Sequence, residues 1–84
     1  GLYQNYPNPF NPSTNIRFEI SERTRTEIII YNSLGQEVKS ILNMVLSPGT
    51  YNIRFDASSL PGGVYFYKLR AGDLSTTKKM VLVK

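Results

Sequence analysis

The run Asn5-Tyr-Pro-Asn-Pro-Phe-Asn-Pro-Ser-Thr14 constrains the fold more than any other segment, because it places three prolines directly before a strand-like sequence. Each proline fixes its own φ and disfavours the α region for the preceding residue, so no helix can begin here. Asn8 and Asn11 can bond forward to backbone amides in Asx turns. We interpret residues 1–13 as a structural clamp that lays Phe10 on the core, and the alternative is a proline-rich spacer.

Length and composition indicate one folded domain. A chain of 84 residues buries only about 60–65% of its unfolded surface, and without Cys it has no disulfide to support so small a core. Its 40% hydrophobic and 19% charged residues are typical of a folded domain rather than a disordered tail. The sequence contains no bilayer-spanning apolar stretch and does not begin with a signal-peptide pattern. We therefore expect a single domain over residues 1–84, with its core in residues 14–84, cut from a longer protein.

Apolar residues recur at every second position along most of the chain, which is the pattern of strands with one buried face. The predicted strands cover residues 14–20, 26–31, 36–42, 51–55, 64–69 and 75–84. The structural turn positions around them are Asn8, Pro9, Phe10, Asn11, Pro12, Gly35 and Gly49. The second strand is apolar on both faces near its end, which predicts a central position in its sheet. These features predict an all-β antiparallel sandwich of about six or seven short strands.

Two of these strands leave alternatives open. Residues 36–42 have a broken phase, which predicts a bulge or a short edge strand, whereas the apolar spacing from Val38 to Val45 also fits a helix. In the last strand either Met80 with Leu82 or Val81 with Val83 faces the core. The strand at 64–69 is clearer, and we place Tyr65, Tyr67 and Leu69 inward because Lys68 lies on the other face.

Catalysis is not expected. The chain has no His and no Cys, which excludes Ser-His, Cys-His and His-metal arrangements. Its acidic residues are scattered over outward phases and turns, and Asp56 and Asp73 lack the dense ligand spacing of a calcium loop, so we expect them to cap loops. The net charge of +4 is spread over every segment, as on solvated faces, and does not indicate a nucleic-acid partner. We predict no cofactor and no metal site.

Five motifs in order span essentially the whole chain and resemble the C-terminal sorting domain of the type IX (Por) secretion system, in its Asn-Pro-Phe-Asn-Pro-rich subgroup. They are Asn5-Tyr-Pro-Asn-Pro-Phe-Asn-Pro-Ser-Thr14, Ile30-Tyr-Asn-Ser-Leu-Gly-Gln36, Pro48-Gly-Thr-Tyr51, Gly63-Val-Tyr-Phe-Tyr67 and Lys78-Lys-Met-Val-Leu-Val-Lys84.

The resemblance implies an immunoglobulin-like β-sandwich that acts as a non-catalytic secretion signal. It implies that an upstream cargo domain is carried through the periplasm and across the outer membrane of a Bacteroidetes-type bacterium, through the type IX translocon, to the cell surface or the medium. A sortase-like cysteine protease then removes the domain, near or upstream of Gly1, and can attach the cargo to lipopolysaccharide.

The same resemblance ties Gly63-Val64-Tyr65 and the tail from Lys79 to Lys84 to translocation. A strand at the end of a chain can offer its backbone to a partner by strand addition, with lysines steering the encounter. Charged side chains on such a strand also protect its edge from self-pairing, and both roles are open. We expect a deletion of residues 79–84 to leave cargo in the periplasm. The candidate recognition residues are Gly63, Val64, Tyr65, Lys78, Lys79, Val81, Val83 and Lys84.

Other functions remain as alternatives. A carbohydrate-binding or adhesive sandwich would stack sugars on exposed tyrosines, for which Tyr31 and Tyr3 are the candidates. A structural assembly role, like that of the immunoglobulin-like domain of flagellar hook-capping proteins, is another. Weak self-association is also left open.

Overall fold

The computed structural model describes all residues from Gly1 to Lys84 and contains six β-strands and no helix. The strands are β1 (Ser13–Ile20), β2 (Thr24–Asn32), β3 (Glu37–Leu46), β4 (Gly49–Asp56), β5 (Gly63–Ala71) and β6 (Leu74–Leu82). β1 pairs with β4 in a two-stranded sheet, and the second sheet has the order β3-β2-β5-β6. Every strand pair is antiparallel, so the predicted all-β antiparallel fold is confirmed, with six strands in a small sandwich.

The core lies between the two sheets and is formed by the period-two apolar positions. The buried apolar side chains that pack together there are Leu2, Phe10, Ile16, Phe18, Ile20, Ile28, Ile30, Phe55, Ala57, Tyr65, Tyr67, Leu69, Met80 and Leu82. This confirms the inward phase of Tyr65, Tyr67 and Leu69, and it shows that Met80 and Leu82 are the inward residues of β6. Phe10 is buried as well, which is incompatible with the spacer alternative for residues 1–13.

The predicted central position of the second strand is confirmed, because β2 pairs with β3 on one side and β5 on the other. Ile28 and Ile30 are fully buried in the core. Ile29 points to the opposite face of the sheet and is also buried. A strand whose two faces are both buried carries apolar residues on both of them. The burial of Ile28, Ile29 and Ile30 fits this pattern.

β3 is an edge strand with two bulges, so the bulged-strand interpretation is confirmed and the helical alternative for this segment is wrong. The register with β2 passes from Leu42 to Ser40 and from Lys39 to Glu37, which leaves Ile41 and Val38 as the extra residues. Both of these side chains pack against the core. Each bulge shifts the side-chain phase by one residue, which explains why apolar residues three apart imitate helical spacing.

The turn between β2 and β3 is held by Asn32 and Gly35. The Asn32 side-chain oxygen accepts hydrogen bonds from the backbone N–H groups of Leu34 and Gln36, each at 3.0 Å. Gly35 has φ of +80°, in the left-handed region that side chains disfavour. Gly49, the other glycine predicted at a turn, follows Ser47-Pro48 and opens β4.

Candidate functional site

The two segments that the resemblance implicates in translocation lie side by side in the four-stranded sheet. In the antiparallel register of β5 and β6, Gly63 is opposite Leu82 and Val64 is opposite Val81. Phe66 lies opposite Lys79 two residues further along. Residues nearly twenty positions apart in the sequence therefore form one continuous surface patch.

Alternation along the two strands decides which of these residues solvent can reach. On the face away from the core, Val64 is 38% and Val83 is 48% exposed, Lys79 is exposed, and Phe66 and Val81 are partly buried. We call these five residues the β5–β6 outer surface. It contains four apolar side chains and one cation, and it has no carboxylate.

The remaining candidate residues support the fold at this end of the molecule. Tyr65 is 6% exposed and its hydroxyl donates to the Pro61 carbonyl at 2.6 Å. Gly63 has φ of +151°, and a Cβ there would have no atom within 4 Å, so its requirement is conformational rather than steric. The Lys84 ammonium donates to the Ser58 carbonyl at 2.8 Å, and Lys78 is partly buried. Of the predicted recognition residues, only Val64, Lys79, Val81 and Val83 lie on the β5–β6 outer surface.

The edge of β6 that does not pair with β5 is covered by the N-terminal clamp. The Phe10 N–H donates to the Val81 carbonyl at 3.0 Å, and the Val83 N–H donates to the Phe10 carbonyl at 2.9 Å. Phe10 thus forms a parallel bridge beside Leu82. This corrects the expectation that the last strand offers its backbone for strand addition, because between Val81 and Val83 these groups are already paired.

Two polar side chains extend this cover. Asn8 accepts a hydrogen bond from the Val81 N–H at 3.0 Å, and Gln4 donates to the Lys79 carbonyl at 2.7 Å. Asn8 and Asn11 do not form the Asx turns that they could form locally: the Asn8 side-chain oxygen bonds to β6 instead, and Asn11 makes no side-chain hydrogen bond. The clamp, rather than the lysines, protects this part of the edge.

The same clamp also extends the two-stranded sheet. The Tyr3 N–H donates to the Arg17 carbonyl at 3.0 Å, and Tyr6 and Asn15 exchange two backbone hydrogen bonds of 3.0 Å. Residues 2–10 therefore join β1 of one sheet to β6 of the other. This closes one side of the sandwich, whereas the edges of β3 and β4 remain open on the other side.

A buried polar network fixes the clamp to the core, and it was not predicted from the sequence. Asn5 and Thr14, the first and last residues of the proline-asparagine run, are 2% and 1% exposed. The Asn5 amide donates to the Thr14 hydroxyl at 3.0 Å and to the Pro7 carbonyl at 3.1 Å, and the Thr14 hydroxyl donates to the same carbonyl at 2.8 Å. The sequence feature that could have indicated this network is the pair of polar residues at the two ends of the run.

Tyr67 links this network to β5. Its hydroxyl accepts from the Asn5 N–H at 2.8 Å and donates to the Tyr3 carbonyl at 2.8 Å, with the ring fully buried. Burial raises the pKa of Tyr67, and the hydrogen bond from Asn5 opposes that shift only in part.

The raised pKa of Tyr67 predicts a loss of stability at alkaline pH. In the unfolded chain this hydroxyl ionises near its ordinary pKa of 10.0, whereas the folded chain retains the proton to a higher pH. The unfolded state then binds fewer protons, so the free energy of unfolding falls as pH rises through and above about 10. Urea unfolding between about pH 8 and 11 should show this fall, with a shallower slope in Tyr67→Phe. Equal slopes in the two proteins would contradict it.

The loops show capping and no cluster of metal ligands. The Asp56 carboxylate accepts from the Ser58 N–H at 2.9 Å, which confirms the expected cap, and hydrogen bonding by Ser58 lowers the pKa of Asp56. No three His, Cys, Asp or Glu side chains come together in a metal-binding group. A depression of about 390 Å³ at one end of the sandwich is bordered by Glu19, Glu22 and Asp73. The fold also contains no helix able to cross a membrane.

Comparison with known proteins identifies the family. A family model described as the secretion system C-terminal sorting domain matches residues 4–84, from within the clamp to the end of the chain. A search of curated proteins gives no significant match. The matched segment contains the clamp, both sheets and the β5–β6 outer surface. The chain therefore belongs to the family of type IX secretion C-terminal sorting domains, whose role is that of a signal for secretion.

Proposed function

We propose that this chain directs an upstream cargo protein from the periplasm across the outer membrane, by binding the type IX translocon through the β5–β6 outer surface. A sortase-like cysteine protease then removes the domain, and the cargo remains at the cell surface or enters the medium. The domain itself is non-catalytic and belongs to the Asn-Pro-Phe-Asn-Pro-rich subgroup.

The observation that carries this proposal is the pairing of two family motifs on one face. Val64 and Val81 are direct cross-strand neighbours, and Lys79 lies opposite Phe66. Contiguous exposed apolar side chains can mark an interaction site, and Val64 and Val81 are such neighbours on this face. A complementary site has an apolar centre with carboxylates at its rim, because the only charge on this surface is the Lys79 ammonium.

The occupied edge of β6 favours recognition through side chains. Strand addition needs unpaired backbone N–H and C=O groups, and those of Val81 and the Val83 N–H are bonded to the clamp. The side chains of Val83 and Lys79 are exposed, and that of Val81 is partly exposed. The translocon therefore contacts the face of the sheet while the clamp stays in place.

A reporter fused upstream of residues 1–84, in a host with the secretion system, tests the proposal. Lys79→Glu combined with Val83→Glu places carboxylates on the β5–β6 outer surface without altering the core. We expect about tenfold less reporter outside the cell, which corresponds to roughly 1.4 kcal/mol of lost binding free energy. The mass of the secreted reporter should show that the domain has been removed.

The matched control is Lys39→Glu with Val45→Glu, since both residues are exposed on the opposite edge strand β3. This variant should be exported at the wild-type level. Normal export of the Lys79 and Val83 variant, with its fold verified by circular dichroism, would contradict the proposal. Deletion of residues 79–84 is a weaker test, because it also removes Met80 and Leu82 from the core.

A further inference from the structure

The outer face of the two-stranded sheet carries two exposed tyrosines in register with amide and guanidinium side chains. Tyr3 is bonded to Arg17, which lies opposite Asn52, so these three residues form one row across the sheet. A second row contains Tyr6, Asn15 and Arg54. We call the residues of these two rows the tyrosine face, and they lie on the sheet that does not contain the β5–β6 outer surface.

The ring of Tyr6 has no role in the fold. It is 80% exposed, although it lies in the clamp between Asn5 and Phe10, which are both buried. Tyr3 is 42% exposed, and the Arg17 guanidinium lies 5.0 Å from the centre of its ring. Exposed tyrosines are rigid and amphipathic, so they offer flat surfaces on which a ligand ring can stack at little entropic cost.

A shallow depression of about 340 Å³ lies between these rings. The residues that line it are Tyr3, Gln4, Tyr6, Asn15, Arg17 and Asn52. The side-chain amides of Asn15 and Asn52 make no hydrogen bond within the protein, and neither does the Arg17 guanidinium. The depression therefore combines aromatic stacking surfaces with unpaired donors and acceptors.

We propose that the tyrosine face binds a glycan chain bearing carboxylates, with a sugar ring stacked on Tyr6. The hydroxyl groups of the sugars bond to the amides of Asn15 and Asn52, which both donate and accept. The carboxylates pair with Arg17, which lines the depression, since guanidinium groups match the geometry of carboxylate oxygens. This activity goes beyond secretion, because it gives the signal domain a contact with an acidic polysaccharide.

Tyr31, the other tyrosine considered for sugar stacking, lies in a different environment. Its ring is partly buried, and the Lys68 ammonium lies 5.3 Å from the centre of the ring. It also lies beside Phe66 on the four-stranded sheet, close to the β5–β6 outer surface. The combination of exposed ring and free amides is found at Tyr6 and not at Tyr31.

Titration of the ¹⁵N-labelled chain of 84 residues with a hexamer of galacturonic acid tests this inference. The side-chain amide signals of Asn15 and Asn52 should shift in a saturable way. Cellohexaose, which has no carboxylate, should bind about tenfold more weakly, and Tyr6→Ala should weaken binding of the galacturonate hexamer by about tenfold as well. Leu34→Ala is the matched control, since Leu34 is 82% exposed on a distant turn, and it should bind as the wild type does.

Four results would overturn the inference. They are the absence of shifts at these amides, equal affinity of Tyr6→Ala and wild type, tighter binding of cellohexaose, and shifts centred on Lys68 and Arg70 of the other sheet. The last result would reveal non-specific attraction of a polyanion to a chain of net charge +4.

Discussion

Replacing Phe10 with alanine is expected to lower the free energy of unfolding by about 3–5 kcal/mol. Phe10 is only 2% exposed, and its ring lies 6.4 Å from that of Phe55, centre to centre. The ring packs in the core between the two sheets, so its removal leaves a cavity that the surrounding side chains fill only in part. The substitution also loosens the bridge between the clamp and Leu82.

Urea unfolding followed by circular dichroism measures this effect, with Tyr6→Ala as its matched control. Tyr6 belongs to the same run but is 80% exposed, so its removal should change stability by less than about 0.5 kcal/mol. If Phe10→Ala were no more destabilising than Tyr6→Ala, the clamp would not be part of the cooperative fold. Residues 1–13 would then behave as the spacer that their composition also allows.

The strands could be predicted from the sequence because their signal is local. Ile16, Phe18 and Ile20 alternate with polar residues in the sequence and are all buried in the structure. The double-faced apolar pattern of residues 26–31 correctly indicated a central strand. Where bulges shift the phase, as at Val38 and Ile41, the local pattern became ambiguous between strand and helix.

The attachments of the clamp could not be predicted, because their partners are distant in the chain. Asn8 has the composition of an Asx turn, yet its side chain bonds to Val81, 73 residues away. The partner of the Asn5 N–H is the hydroxyl of Tyr67, at a separation of 62 residues. Local propensity predicts which hydrogen bonds an asparagine can form with neighbouring residues. Tertiary packing decides which distant donor the side chain actually bonds to.

In the candidate site, too, one part could be predicted from the sequence and another part could not. The resemblance grouped Gly63-Val64-Tyr65 with the last strand, and the register of β5 and β6 places the two segments together. Alternation then separates Val64, which faces solvent, from Tyr65, which packs in the core. Sequence motifs alone do not distinguish residues that contact a partner from residues that hold the surface in shape.

The clamp connects the start of the domain to β6, the strand proposed to take part in recognition. The clamp pairs with β1 through Tyr3 and Tyr6 and with β6 through Phe10. An uncovered edge strand is a template for pairing with other chains, so release of the clamp would expose Val81 and Val83 to aggregation. The clamp therefore keeps the edge of β6 paired and leaves the outer face of the sheet for the proposed recognition.

Tyr67→Phe is expected to lower the free energy of unfolding by about 2–4 kcal/mol, although it removes only one oxygen atom. That hydroxyl accepts from the Asn5 N–H and donates to the Tyr3 carbonyl, each at 2.8 Å. Without it, the buried Asn5 N–H and the partly buried Tyr3 carbonyl lose their partner. Each buried unpaired group costs about 1–3 kcal/mol, and the two costs overlap because the clamp can shift as a unit.

Tyr51→Phe provides the matched comparison for this prediction. The Tyr51 hydroxyl donates one hydrogen bond, to the Ser47 carbonyl at 2.6 Å, at an exposed site where water can replace it. Its loss should cost about 0.5–1.5 kcal/mol, the net value of a single hydrogen bond. Hydrogen exchange at the amide of Asn5 should rise in Tyr67→Phe and stay unchanged in Tyr51→Phe. Equal destabilisation by the two substitutions would show that the Tyr67 hydroxyl contributes no more to stability than the single exposed hydrogen bond of Tyr51.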